Sequence, residues 1–126
     1  MAEIINTKNA PAPIGPYNQS VRTGNLLFVS GQVPFIAETM DLVTESVEAE
    51  THQVMKNLDA ILNKAGLGLS NIVKASIFCK DLNDFSKINE VYGSYFEGNY
   101  PARECVEVSR LPKDVNVEIS VIAEFH

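Results

Sequence analysis

Three side chains near the C-terminus are of types that act on small acids. The stretch PARECVEV, Pro101 to Val108, sets Arg103 and Cys105 two residues apart in strand-like alternation. Glu118 follows in VNVEISVIAEF, Val115 to Phe125. Successive side chains of a strand point to opposite faces, so Arg103, Cys105 and Glu107 share one side and Glu104, Val106 and Val108 the other. If Val106 and Val108 join Val117, Ile119 and Val121 in the core, Arg103, Cys105 and Glu118 are expected together on the opposite face. A partly buried guanidinium needs an anion, and its planar fork of donors matches a carboxylate. Two kinds of partner fit. One is a structural ion pair with Glu118, Glu107 or a neighbouring subunit; the other is the carboxylate of a bound small molecule. Glu118 is open in the same way, as an exposed strand carboxylate or as a base.

The remaining reactive residues point to less. A catalytic thiol usually has a histidine base, and the two histidines are His52, expected to be solvated on a helix, and the terminal His126. Cys105 therefore reads as a small group filling space beside Arg103, and Cys79 as core packing, both as free thiols. Two separated cysteines and two isolated histidines make no ligand cluster, so no metal site is expected. No G-x-G-x-x-G, P-loop or G-x-S-x-G occurs.

The elements that position these residues are legible from period and punctuation. Ile4 and Ile5 suit a short edge strand, and APAPIGPY, Ala10 to Tyr17, is a stiff proline-rich loop. Tyr17 to Thr23 and Leu26 to Ser30 read as strands of a hairpin turning at Gly24-Asn25. The run LLFV within the second suggests a strand covered on both sides. Val47, Thr51, Val54, Leu58, Ile61, Leu62 and Ala65 fall on one face of a helix, capped by Ser46 and stopped at Gly66. IVKASIFC, Ile72 to Cys79, is a strand. Asn83 is expected to cap a second helix that buries Phe85, Ile88, Tyr92, Tyr95 and Phe96 and ends by Gly98. The order β-β-β-α-β-α-β-β fits one α+β domain over residues 1–126, with a single sheet and two helices on one face. The open face then calls for self-association.

Composition bounds the partners. Of 126 residues, 45% are apolar and 21% charged, an ordinary globular balance. No apolar run approaches the ~18 residues of a membrane span, and Met1 to Ala10 lacks a signal-peptide core. A cytoplasmic protein with no membrane partner is expected. A net charge of −6 without a basic stripe makes nucleic acid an improbable partner.

APAPIGPYNQSV, LLFVSGQVP, NEVYGSYF, and PARECVEVSRLP with VEISVIA resemble, in order, the blocks of the reactive-intermediate deaminases, the RidA/YjgF family. The likeness runs from about Thr7 to Ala123. It implies a chorismate-mutase-like α+β fold with a mixed sheet of about six strands, assembled as a homotrimer around a central barrel-like core with sites between subunits. It places the last strand between earlier ones, against the hairpin that the short LPKD connection invites. It implies cofactor-independent hydrolysis of enamines and imines such as 2-aminoacrylate to 2-keto acids and ammonia. In that reading Arg103 grips the substrate carboxylate and Glu118 activates water, while Tyr17, Ser30, Gly31, Asn89 and Cys105 line the cleft. Three departures from the family pattern stand out: Glu104 sits where a small hydroxyl residue is common, adding negative charge next to the arginine; FIAETMDLV lacks the usual loop glycine; and the stretch Gly98 to Tyr100 before PAR is a few residues short. A binding or regulatory trimer without turnover, and a ribonuclease or translation inhibitor, are the rival readings.

Overall fold

The computed structural model describes residues 2–126. Six strands form one mixed sheet: β1 (Glu3–Ile5), β2 (Ser20–Thr23), β3 (Leu26–Gln32), β4 (Ile72–Cys79), β5 (Ala102–Glu107) and β6 (Val117–Glu124), in the order β1-β2-β3-β6-β4-β5. Only β4 and β5 run parallel. The last strand thus lies between β3 and β4, as the family likeness implied, and not beside β5 in a hairpin. Gly24 turns the β2–β3 hairpin in the left-handed conformation that its missing Cβ allows, φ 58°.

Helices α1 (Val47–Lys64) and α2 (Phe85–Gly93) both cover one face. The Ser46 hydroxyl accepts from the Ala49 amide and caps α1, which buries Val54, Met55, Leu58, Ile61 and Leu62. Against them pack Leu27, Val29, Ala75, Ile77, Val117, Ile119, Val121 and Ala123. The second helix starts differently from the expectation. Asp81, not Asn83, is the cap, and it accepts the Asn83 amide to begin a 3₁₀ turn over Leu82–Asp84. Regular α2 then stops at Gly93, with Tyr95 and Phe96 in the turns beyond it. Among the described residues, no helix is long and apolar enough to cross a membrane.

The other face of the sheet is uncovered in the single chain. Phe28 is 43% exposed there, so the LLFV run is buried on one side only. Val106 is 42% exposed, which reverses the expected facing of β5. The register gives the cause: Ala75 faces Arg103 and Ile77 faces Cys105 across the parallel pair, and both β4 residues are fully buried under the helices. Arg103 and Cys105 therefore turn toward the helices, and Val106 turns outward with Phe78, its neighbour across the pair. Glu104 goes outward too, paired with Lys74 at 3.2 Å and bonded by Ser76, so its charge lies on the face away from the arginine.

Two residues fix segments that no sheet or helix ladder holds. Glu50, 2% exposed on α1, accepts from both the backbone and the side-chain amide of Asn116, securing the entry to β6. In the segment without the family glycine, Met40 takes φ 60°, closing the turn behind the Phe35–Leu42 bridge. Two outcomes are expected at fixed protein concentration in urea denaturation. Glu50→Ala strands two donors and should lose about 2–3 kcal/mol. Met40→Gly relieves a left-handed side chain and should gain about 0.5–1 kcal/mol, after the cost of a freer unfolded chain.

Candidate functional site

The chemically able residues fall into two cavities on opposite faces of the sheet. The first, about 370 Å³, opens on the uncovered face and is lined by Tyr17, Ser30, Gly31 and Glu118, with an apolar wall from flanking segments. Between Val29↔Val121 and Gln32↔Ile119, Ser30 and Gly31 on β3 stand against Ser120 alone, a β-bulge. The bulge brings Gly31 under the Glu118 side chain. A Cβ on Gly31 would stand 2.9 Å from the carboxylate carbon, so only glycine leaves that seat free.

Burial pushes the Glu118 carboxyl above its ordinary range, and among the described residues no group bonds to it to offset that effect. Ser30 donates its hydroxyl proton to the Asn18 carbonyl at 2.6 Å, tying the bulge to the loop before β2. The Tyr17 hydroxyl accepts from the Ile14 amide at 3.4 Å, and the ring stays 45% exposed at the mouth. The arrangement offers one unpaired carboxylate at an apolar hollow, a place for a base acting on water or on a polarised proton.

The second cavity, about 350 Å³, lies at the sheet edge on the helix side and is lined by Arg103, Asn89, Tyr92, Gly93, Tyr100 and Pro101. Phe85, Asn89 and Tyr92 are spaced along one face of α2, which sets them over β5. The Arg103 guanidinium lies 5.5 Å from the Phe85 ring centre and 5.4 Å from that of Tyr92, and it donates to the Asn89 side-chain oxygen. Among the described residues it has no acidic partner. The two ion pairs present are Lys74–Glu104 and Lys80–Asp114, and Glu107 accepts instead from the Leu82 amide. A structural ion pair within the chain is thereby set aside, and the fork is free to take an anion from outside.

Cys105 sits two residues from Arg103 on the same side, packed against the core. Burial raises its thiol more than the Cys79 bond and the nearby guanidinium lower it. Cys79 is pushed up to about 11, chiefly by burial. Both are protonated at neutral pH, which suits packing and not attack. His52 bonds the Tyr95 hydroxyl at 2.8 Å on the outer side of the helices, away from either cavity.

The expectation that Arg103, Cys105 and Glu118 share the uncovered face is corrected here. Tyr17, Ser30, Gly31 and Glu118 come together, and so do Arg103, Asn89 and Cys105, but the sheet separates the two groups. Sequence reading missed the rings of Phe85 and Tyr92 around the guanidinium, although their helical spacing from Asn89 carried the signal. It also missed the apolar wall beside Glu118, which is built from loops and has no periodic signature.

Comparison with known proteins agrees with this architecture. The sequence model of the family described as Endoribonuclease L-PSP matches residues 7–125. A 2-iminobutanoate/2-iminopropanoate deaminase of Salmonella typhimurium is 48% identical over 126 residues, covering 98% of each chain. Further relatives at 46–50% identity carry the general name of RutC family protein. Among solved structures, a protein of unknown function of the conserved Rid family from Yersinia pestis is 47% identical, with a TM-score of 0.96 over 98% of this chain and 99% of that one. TdcF of Escherichia coli, solved with bound serine, is 43% identical with a TM-score of 0.94 over 98% and 99%. The chain belongs to the RidA/YjgF family, the family described as Endoribonuclease L-PSP.

Proposed function

We propose that the protein is a deaminase of 2-imino acids, working as a homotrimer whose sites join the Glu118 cavity of one protomer to the Arg103 cavity of the next. The carrying observation is the pair of unneutralised charges on opposite faces of one sheet. One chain cannot close both on a small molecule, whereas two copies can. The deaminase name of a relative at 48% identity and the serine held by TdcF support a small amino-acid-like ligand.

The chemistry follows from the two halves. Arg103, held by Asn89, grips the substrate carboxylate and aims the imine carbon at the opposite wall. Glu118 accepts a proton from water as the water oxygen bonds to that carbon. The imine nitrogen takes up the electron pair of the C=N bond together with the proton held by Glu118, giving the carbinolamine. Glu118 then relays the carbinolamine hydroxyl proton to the nitrogen as the C–N bond breaks, so that ammonia leaves and the hydroxyl carbon becomes the carbonyl of a 2-keto acid. An enamine such as 2-aminoacrylate enters as its imine tautomer. Tyr17 and Ser30 border the reacting end, and Cys105 fills space behind the guanidinium.

Generating 2-aminoacrylate in a coupled assay and following imine loss tests the reading directly; loss no faster than in buffer would leave only a binding role. Arg103→Ala should lower kcat/KM by about tenfold to a hundredfold, the worth of one charge-assisted hydrogen bond. Equal activity in the folded variant would contradict the assignment. Glu118→Gln should lower kcat more than it raises KM. Because the base must be ionised and its carboxyl is raised, the acid limb of the wild-type pH profile should lie above the ordinary carboxylate range and vanish in this variant. The same raised carboxyl costs stability while it is charged, above its folded pKa, and costs none below the unfolded one. Glu118→Gln should therefore melt higher at pH 7 and show no advantage near pH 4, read by calorimetry.

A further inference from the structure

The apolar wall beside Glu118 comes from two irregular segments: Pro11, Ala12 and Ile14 before β2, and Val33 and Phe35 after β3. Neither lies in the sheet, and proline removes donors from the first, so their backbone carbonyls need other partners. Each segment is served by one buried amide. Gln19, 2% exposed, places its side-chain nitrogen 2.8 Å from the Pro11 carbonyl, 3.0 Å from that of Thr7 and 3.3 Å from that of Ala10. Its oxygen accepts the Thr7 amide at 2.6 Å, which fixes which way the group points. Asn57 on α1, also 2% exposed, donates to the Phe35 carbonyl at 2.9 Å and to the Val33 carbonyl at 3.2 Å. Its oxygen accepts from Gln53.

Neither amide touches the cavity. Both stand behind its walls, one under each segment. We propose that Gln19 and Asn57 are positioning residues that hold these walls at the spacing that receives the substrate's side chain, and so set selectivity for apolar 2-imino acids over the smallest ones. The inference rests on the deaminase reading. Without the Gln19 amide the Thr7, Ala10 and Pro11 carbonyls lose its nitrogen. Without that of Asn57 the Phe35 carbonyl loses its donor, while the Val33 carbonyl keeps the Phe35 amide at 2.7 Å. The segment then moves to find water. The wall then loosens, while the bulge carrying Gly31 and the strand carrying Glu118 keep their sheet hydrogen bonds. A substrate that fills the hollow loses contact, and one too small to reach the wall does not.

The test compares wild type, Gln19→Met and Asn57→Leu on imines generated in situ by an amino-acid oxidase from leucine and from alanine. The ratio of the two kcat/KM values, leucine over alanine, should fall by at least about tenfold in each variant, the scale of discrimination that an apolar pocket gives. A purely structural loss lowers both values by one factor through the folded fraction and leaves the ratio alone. A smaller fall in the ratio therefore overturns the inference, whatever the melting temperature does. If Gln19→Met does not fold, Asn57→Leu carries the same comparison. Failure of the deaminase reading looks different: wild type then accelerates loss of neither imine, or Arg103→Ala equals wild type, and the inference falls with it.

Discussion

The face that each charged group takes is decided by one row of the sheet. Ile77 on β4 is paired with Ile119 on one side and with Cys105 on the other. Ile77 and Ile119 are fully buried beneath the helices. A slip of one residue would turn out the whole inner set of β4 and β6, at about 1.5–3 kcal/mol for each large side chain. Leaving Val106 partly exposed costs far less than that. With the parity fixed, Arg103, two residues from Cys105, must face the helices. Glu118, next to Ile119, must face away. Apolar burial thus settles where two charges go.

That placement keeps the charges available. Two opposite unit charges within 4 Å would attract by about 4 kcal/mol near a protein surface and would form the ion pair that the sequence invites. Neutralised in that way, neither could act on a third molecule. The sheet keeps them apart, and each is then supported by means that leave its charge uncancelled. Arg103 has the Phe85 and Tyr92 rings beside it, their centres 5.5 and 5.4 Å away, and an amide oxygen as acceptor. Glu118 has a glycine seat and partial burial, which raises its proton affinity without supplying a partner.

Much of this fold was legible in the sequence, for reasons particular to each element. Helix α1 announces itself through a long 3.6-residue period and a serine cap, and the β2–β3 turn through Gly24-Asn25. The facing of β5 was not legible. Alternation in PARECVEV defines two faces without saying which is inner, and Val106 and Val108 looked like the core set. The deciding facts are the parallel register with β4 and the presence of α2 at that edge, and neither is local. The likeness to a known family supplied the strand order and the membership of both groups. Even so, parity within one chain could be read only from the structure. The left-handed Met40 lies in FIAETMDLV, where the likeness showed a loop glycine to be missing but not which residue takes the left-handed turn.

The distribution of buried polar groups has its own logic. Regular strands and helices satisfy their own backbone, so a fold needs buried side-chain donors and acceptors mainly where the chain is irregular. Here Gln19, Glu50 and Asn57 serve the loop before β2, the entry to β6 and the segment after β3, in that order. All three segments flank the strand ends that bear Gly31 and Glu118. Satisfying those loops with protein groups leaves less for solvent to bond along the wall, and an apolar wall with few open acceptors gives water little hold except at the carboxylate. These three buried polar side chains therefore help to make the neighbourhood of Glu118 apolar. Poor solvation of that carboxylate, which costs the fold some stability, is also what raises its affinity for a proton.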